Sequence, residues 1–327
     1  MKKRLVLVAL MMSPVIIALV SVFFGSYRID PLTVVSLLFN PEAVNGPEKT
    51  IIMDIRLPRL ILAGISGAAL SASGVVLQGI FHNPLADPFI LGISAGAALG
   101  CAISVAFFPG IPIQIAAFLF GCLAVAIAYT MARATGAFSR LSLVLSGVVV
   151  SSFFTACLSV VKFLVDPYRL QSIVFWLMGS FSLADWQQVK IATVGVTAGM
   201  VPIYLMRWRL NVMSLGDMEA HSLGQHVEKE RILFILFATF IVGITVSLSG
   251  IIGWVGIMIP HLLRLAIGPD HRVLVPTSCA GGAAFMILAD TLARSMTSFD
   301  LPIGIITALV GAPFFFFLLT KTEGNSW

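Results

Sequence analysis

"IRLPRLILAGISGAALSASGVVLQGIFHNPLADPFILGISAGAALG", residues Ile55 to Gly100, sets two apolar runs on either side of a short polar turn. A helix needs about 20 largely apolar residues to cross a bilayer, and 58–81 and 90–108 are runs of that kind. Between them, Pro84 and Pro88 hold the residues before them in extended geometry and stiffen the turn. Gly92, Gly96 and Gly100 stand four apart, a spacing that lets helix backbones approach closely and reads here as bundle packing. Two membrane helices joined by a tight turn are therefore predicted.

The rest of the chain belongs to the same solvent. Hydrophobic residues make up 58% of 327 positions, charged residues 11%, and mean hydropathy is +1.02. A soluble domain carries about 25% charged residues. Scanning for further spans gives ten in all, at 5–25, 58–81, 90–108, 112–133, 142–165, 189–207, 232–250, 252–267, 273–296 and 303–320. The eighth is short and rich in glycine, so it is expected to be broken or incompletely spanning. An even number puts both termini on one side. If that side is the cytoplasm, its loops and ends hold twelve of the twenty Lys and Arg residues, a modest bias in the direction the positive-inside rule requires. Trp176, Trp186 and Trp254 then fall near the outer interface and Trp208 near the inner one.

Lys2-Lys3-Arg4 precede the first apolar run, which exceeds the 7–15 residues of a signal peptide's apolar region and is read as a retained span. Cys101, Cys122, Cys157 and Cys279 lie inside apolar runs without a C-x-x-C pair, as small core residues do. His82, His221, His226, His261 and His271 all fall at or near the cytoplasmic side and read as capping or loop residues, His261 as a cap. The middles of the spans are almost free of charge, which argues against proton or sodium coupling. No Gly-Lys dipeptide occurs, so there is no phosphate-cradling P-loop, and H-E-x-x-H and G-x-S-x-G are absent. An enzyme has no catalytic constellation to stand on, and no metal site is predicted.

One stretch departs from this apolar background. "LGDMEAHSLGQHVEKE", Leu215 to Glu230, holds four of the fifteen acidic residues and lies in the longest cytoplasmic connection, about 208–231. Leu215, Met218 and Leu223 share one helical face. Gly216 and Gly224 bracket a short helix, and Asp217 and Glu219 suit the positive end of its dipole. A solvated loop and a docking element are both compatible with this pattern, and the bracketing glycines favour docking.

With that stretch in view, the chain resembles the permeases of the iron-chelate and cobalamin ABC importers. "LGDMEAHSLG" looks like their coupling-helix loop, and Ile55 to Gly100 resembles their second and third helices. "SGIIGWVGIMIPHLLRLAIGPDHRVLVP", "LADTLARSM" and "DLPIGIITALVGAPFFFFLL" complete a likeness that covers residues 5–320. The resemblance implies an all-α polytopic membrane helix bundle with the type II importer permease fold. It implies ten helices per subunit and a single permease domain over 1–327. It also implies a homodimer, two cytoplasmic ATPase subunits that bind ATP and magnesium, and a periplasmic or lipid-anchored binding protein. This chain itself would carry no cofactor and no nucleic-acid partner. It would sit among the lipids of a bacterial or archaeal cytoplasmic membrane.

The resemblance also places working residues. Arg56, Arg59 and Arg294 match positions that meet acidic residues of the binding protein, each guanidinium offering a planar fork for a carboxylate. Asn83 and Leu85 match an inner gate where two copies meet, with a looser second gate segment at Ser139 to Ser142. Leu215, Gly216, Asp217, Glu219, Ala220, Leu223 and Gly224 would seat in a groove of the ATPase. The route is expected to be lined by small and apolar side chains from the fifth and tenth helices. The leading expectation is thus the membrane subunit of an ATP-driven importer for a ferric siderophore, haem or corrinoid; the alternative is a carrier or channel working without ATP.

Overall fold

The computed structural model describes residues 2–40, 42, 46–134, 139–296 and 300–322. Among the described residues ten longer helices form the bundle, and they lie on the runs predicted from hydropathy. They are α1 (Lys2–Ser21), α4 (Leu57–Phe81), α5 (Ile93–Phe107), α6 (Ile113–Ala134), α7 (Arg140–Leu164), α9 (Trp186–Met213), α11 (Val227–Ser249), α12 (Val255–Ile267), α13 (His271–Ser295) and α14 (Ile303–Thr322). Among the described residues six continuous helical segments are long and apolar enough to cross a membrane; the apolar parts of α1, α5, α12 and α14 are shorter.

Four short helices join them: α2 (Pro31–Phe39), α3 (Pro47–Thr50), α8 (Pro167–Leu177) and α10 (Asp217–Ser222). Hydropathy passed over α2, α3 and α8, yet α2 and α8 carry a local signal. Asp30 and Asp166 accept hydrogen bonds from the first free backbone N–H groups, and Pro31 and Pro167 occupy the first helical position, where no N–H is needed. Between α3 and α4 the backbone widens into a π-helical turn, Ile51–Arg56. Pro58 follows it and has no N–H to give, so the usual register is broken at this point.

Helix α4 is the axis of the bundle and is buried along most of its length, packing against α9, α11, α12 and most extensively α13. Close approach is possible because glycines face each other. A Cβ on Gly67 would overlap the Gly282 carbonyl of α13, and one on Gly282 would overlap Gly67. On α5, Gly96 and Gly100 lie against the backbone of α6 at Phe120 and Ala116, as their four-residue spacing predicted.

The eighth span is broken as expected. Residues 250–254 are not helical, Trp254 has φ 73°, and the 13-residue α12 covers only about 20 Å of a roughly 30 Å hydrocarbon core. The freed backbone is partly met by its neighbours: Ser180 N–H donates to Ser249 O at 2.8 Å. The long connection is shorter than predicted. Helix α9 runs on to Met213 and α11 begins at Val227, leaving 214–226 with α10 inside it.

Candidate functional site

Helix α10 forms as its sequence predicts. Gly216 precedes it with φ 133°, Leu223 ends it, and Gly224 turns the chain with φ 81°. Ala220 is buried, while Leu215, Met218 and Leu223 are 62%, 82% and 63% exposed. Leu215, Met218 and Leu223 thus form an apolar face that this chain leaves uncovered. Glu219 lies in the first turn beside Asp217.

Asp217 joins this small helix to two long ones. Arg140 Nη2, in the first turn of α7, donates to Asp217 Oδ1 at 2.6 Å, and Arg231 Nη2 of α11 donates to both carboxylate oxygens at 2.9 Å. Burial pulls the Asp217 pKa upward, but the hydrogen bonds and charges of Arg140 and Arg231 outweigh it and hold the carboxyl below its ordinary value. Arg231 is 3% exposed, so its charge is dehydrated and depends on this partner.

The two predicted gate segments flank the same helix. Ser139 caps α7 in a reciprocal capping box with Ser142: Ser142 N–H donates to Ser139 Oγ at 3.1 Å, and Ser139 N–H to Ser142 Oγ at 3.0 Å. Both serines thus fix the start of α7, directly beside Arg140. In the other segment Asn83 Oδ1 accepts from Leu85 N–H at 2.9 Å and shapes the turn after α4. Leu85 is 37% exposed and borders a small crevice with Trp254, Met258 and Phe314. His82, in left-handed backbone at the end of α4, bonds through Nε2 to Met213 O at 2.6 Å. That bond ties the Asn83–Leu85 turn to the last residue of α9, four positions before α10. Burial keeps the His82 pKa low.

Three histidines that look scattered in the sequence, His82, His261 and His271, converge on a cavity of about 760 Å³ at this end, together with Gln78, Asn211 and Arg264. Arg264 Nη2 donates to Gln78 Oε1 at 2.9 Å, and Asn211 Oδ1 accepts from His271 N–H at 2.8 Å. His261 is not a cap. It lies in the middle of α12, which runs from Val255 to Ile267 after the break at 250–254, and is buried. Among the described residues no group of three or more His, Cys, Asp or Glu is arranged to hold a metal ion.

At the opposite end of the bundle the three predicted arginines are turned inward, onto acceptors of this chain. Arg56, Arg59 and Arg294 are only 3–5% exposed. Arg56 donates to Val22 O at 2.7 Å and to Tyr27 O. Arg59 Nε contacts Asp290 Oδ1 and Oδ2 at 2.9 and 3.0 Å, and its Nη1 reaches Asp300 Oδ2 at 2.9 Å. Arg294 Nη2 donates to Ser21 O at 2.7 Å. Guanidiniums at a crowded helix end bind the nearest acceptors, and here those belong to α1, the turn after it, α13 and the segment before α14. Asp300, with its side chain 37% exposed, is the part of this cluster that reaches solvent.

Helix α7 shows a feature that hydropathy hid. Ser152, Thr155 and Ser159 are exposed near the middle of a span otherwise rich in Val and Phe. Ser152 and Ser159 satisfy their hydroxyls on Val148 O and Thr155 O, one turn back.

The sequence matches the FecCD transport family over residues 12–321. It is 44% identical over 316 residues to a Helicobacter pylori protein named "Probable iron chelatin transport system permease protein", covering 95% of this chain and 96% of that one. It is 36% identical over 314 residues to the molybdate import system permease protein MolB of Haemophilus influenzae, with 94% and 93% covered. It is 35% identical over 320 residues to the hemin transport system permease protein HmuU of Yersinia pestis, with 95% and 96% covered. A solved inward-facing conformation of a metal-chelate type ABC transporter superposes with a TM-score of 0.87 at 36% identity, over 97% of this chain and 99% of that one.

Proposed function

The chain belongs to the FecCD transport family, and on that premise we propose that it is the membrane permease subunit of an ABC importer whose cargo is a metal chelate. The observation that carries the reading is α10. It presents Leu215, Met218 and Leu223 to the outside while Asp217 anchors it to α7 and α11. A force applied to that apolar face passes through two ion pairs into two spans, and through α9 and His82 into the Asn83–Leu85 turn. This is how a separate motor could drive a chain that has no nucleotide site of its own. Coupling here means that the ATPase binds two arrangements of α10 with different affinity.

The working assembly is two copies of this chain, two ATPase subunits with ATP and magnesium, and an external binding protein, with α10 and both termini on the cytoplasmic side. The exposed hydroxyls of Ser152, Thr155 and Ser159 support a route along α7, because polar groups at mid-membrane depth favour a water-filled passage or another protein surface over lipid. Docking of the binding protein falls to the Arg56–Arg59–Arg294 end. Since Asp300 is the solvent-reaching carboxylate there, an incoming acidic side chain would take its place on Arg59.

The test is uptake by vesicles holding the chain with its cognate ATPase and binding protein. Uptake that requires ATP and is indifferent to an imposed ion gradient supports the reading. Uphill transport by the chain alone overturns it.

A further inference from the structure

We propose that the face between α6 and α11 is a binding site for an anionic phospholipid, in the leaflet on the α10 side, with one acyl chain in a groove and the phosphate between Arg133 and Lys229. The groove has a volume of about 380 Å³ and is almost wholly apolar. Its walls are Cys122, Ala126 and Thr130 on α6 and Ile232, Leu236 and Thr239 on α11. The spacing on each helix is three to four residues, so each wall is one stripe along a helix.

The two helices run antiparallel. Thr130, near the end of α6, therefore lies level with Ile232, near the start of α11. Small side chains at Cys122 and Ala126 open the trough. Phe240 borders its other end, in edge-to-face contact with Phe118 at 6.0 Å between ring centres. From Cys122 to Thr130 the groove extends about 12 Å along α6, a distance suited to part of an extended acyl chain.

What fixes the occupant is the charge one helical turn beyond Thr130 and Ile232. Following the stripe one turn past Thr130 reaches Arg133, and one turn before Ile232 lies Lys229. Both are exposed, and neither belongs to any ion pair found among the described residues. Glu228 adjoins Lys229 and reduces the positive charge without cancelling it. An apolar trough whose two walls, continued by one helical turn, carry Arg133 and Lys229 matches a phospholipid with a net negative headgroup. A second copy of the chain would have no need of cations there, and a soluble apolar ligand no need of them at all.

The experiment is native mass spectrometry of the purified chain in detergent with added phosphatidylglycerol or phosphatidylcholine of identical acyl chains. Two cations near a lipid surface imply about thirtyfold stronger retention of phosphatidylglycerol. Arg133→Gln together with Lys229→Gln should abolish that preference while leaving phosphatidylcholine retention unchanged. Ala126→Trp, which fills the trough, should lower retention of both lipids. Equal retention of the two lipids by the unmodified chain overturns the proposal, as does a preference that survives the double Gln variant. Because both cations are exposed, that variant keeps its fold, and a loss of thermal stability is not the expected result.

Discussion

Arg59 and Asp290, 231 positions apart in sequence, meet between α4 and α13, with Arg59 Nε 2.9 Å from Asp290 Oδ1 and the carboxylate wholly buried. Taking either charge away leaves the other buried with one remaining partner, Asp300 at 2.9 Å for Arg59 or Arg294 at 3.8 Å for Asp290. Asp290→Asn should therefore destabilise the purified chain by about 3–5 kcal/mol, read as a lowered thermal midpoint. Arg59→Met combined with Asp290→Leu should cost less than the two single changes added together.

Asp300 holds the outer nitrogen of the same arginine. If a partner carboxylate replaces it on docking, Asp300→Asn removes a competitor and should tighten binding-protein association, most clearly at low salt, where charge pairing is least screened. Unchanged or weaker affinity would show that docking does not pass through Arg59.

Asp217 links α10 to Arg140 and Arg231. Its carboxyl is held below its ordinary value, so the stability it lends is present above the usual carboxylate range and is lost only as pH falls through the lowered folded value. At neutral pH the link is intact. Asp217→Asn should leave ATPase binding near normal, since the apolar face is untouched, and cut ATP-driven uptake by about tenfold or more, on the order of 1.4 kcal/mol of lost coupling.

Asp87, in the turn between α4 and α5, behaves oppositely. Burial raises its pKa to about 6, against a hydrogen bond from Phe89 N–H that works to lower it. The folded chain then holds this proton more tightly than the unfolded one. The stability it lends is complete below about 3.8 and is lost as pH rises through about 6. The thermal midpoint should fall between pH 5 and pH 7.5 in the unmodified protein, and fall less in Asp87→Asn.

Leu85 projects from that turn against Trp254, Met258 and Phe314. Leu85→Ala should raise passive leak of a chelate through reconstituted dimers, measured without ATP. Equal tightness in both forms would take Leu85 out of the gate.

Much of this protein is written locally. Ten apolar runs, the weak eighth span and the glycine-bracketed α10 were legible because hydropathy, capping and helix period act over a few residues. Asp30 with Pro31, and Asp166 with Pro167, would have revealed α2 and α8 on the same terms. The site was legible in part: α10 and the turn at Asn83–Leu85 are where the sequence puts them. Their joining through Arg140, Arg231 and His82 left no local trace.

By itself the sequence determined a lipid-solvated helix bundle with one acidic, glycine-bracketed helix in its longest polar connection. Only the tertiary structure decided that Arg56, Arg59 and Arg294 turn inward, that three histidines share one cavity, and that Asp217 ties three helices together. The reason is distance along the chain. Which acceptor a long guanidinium finds depends on where helices cross, and those crossings are set by contacts such as Gly67 on Gly282, between residues more than two hundred positions apart.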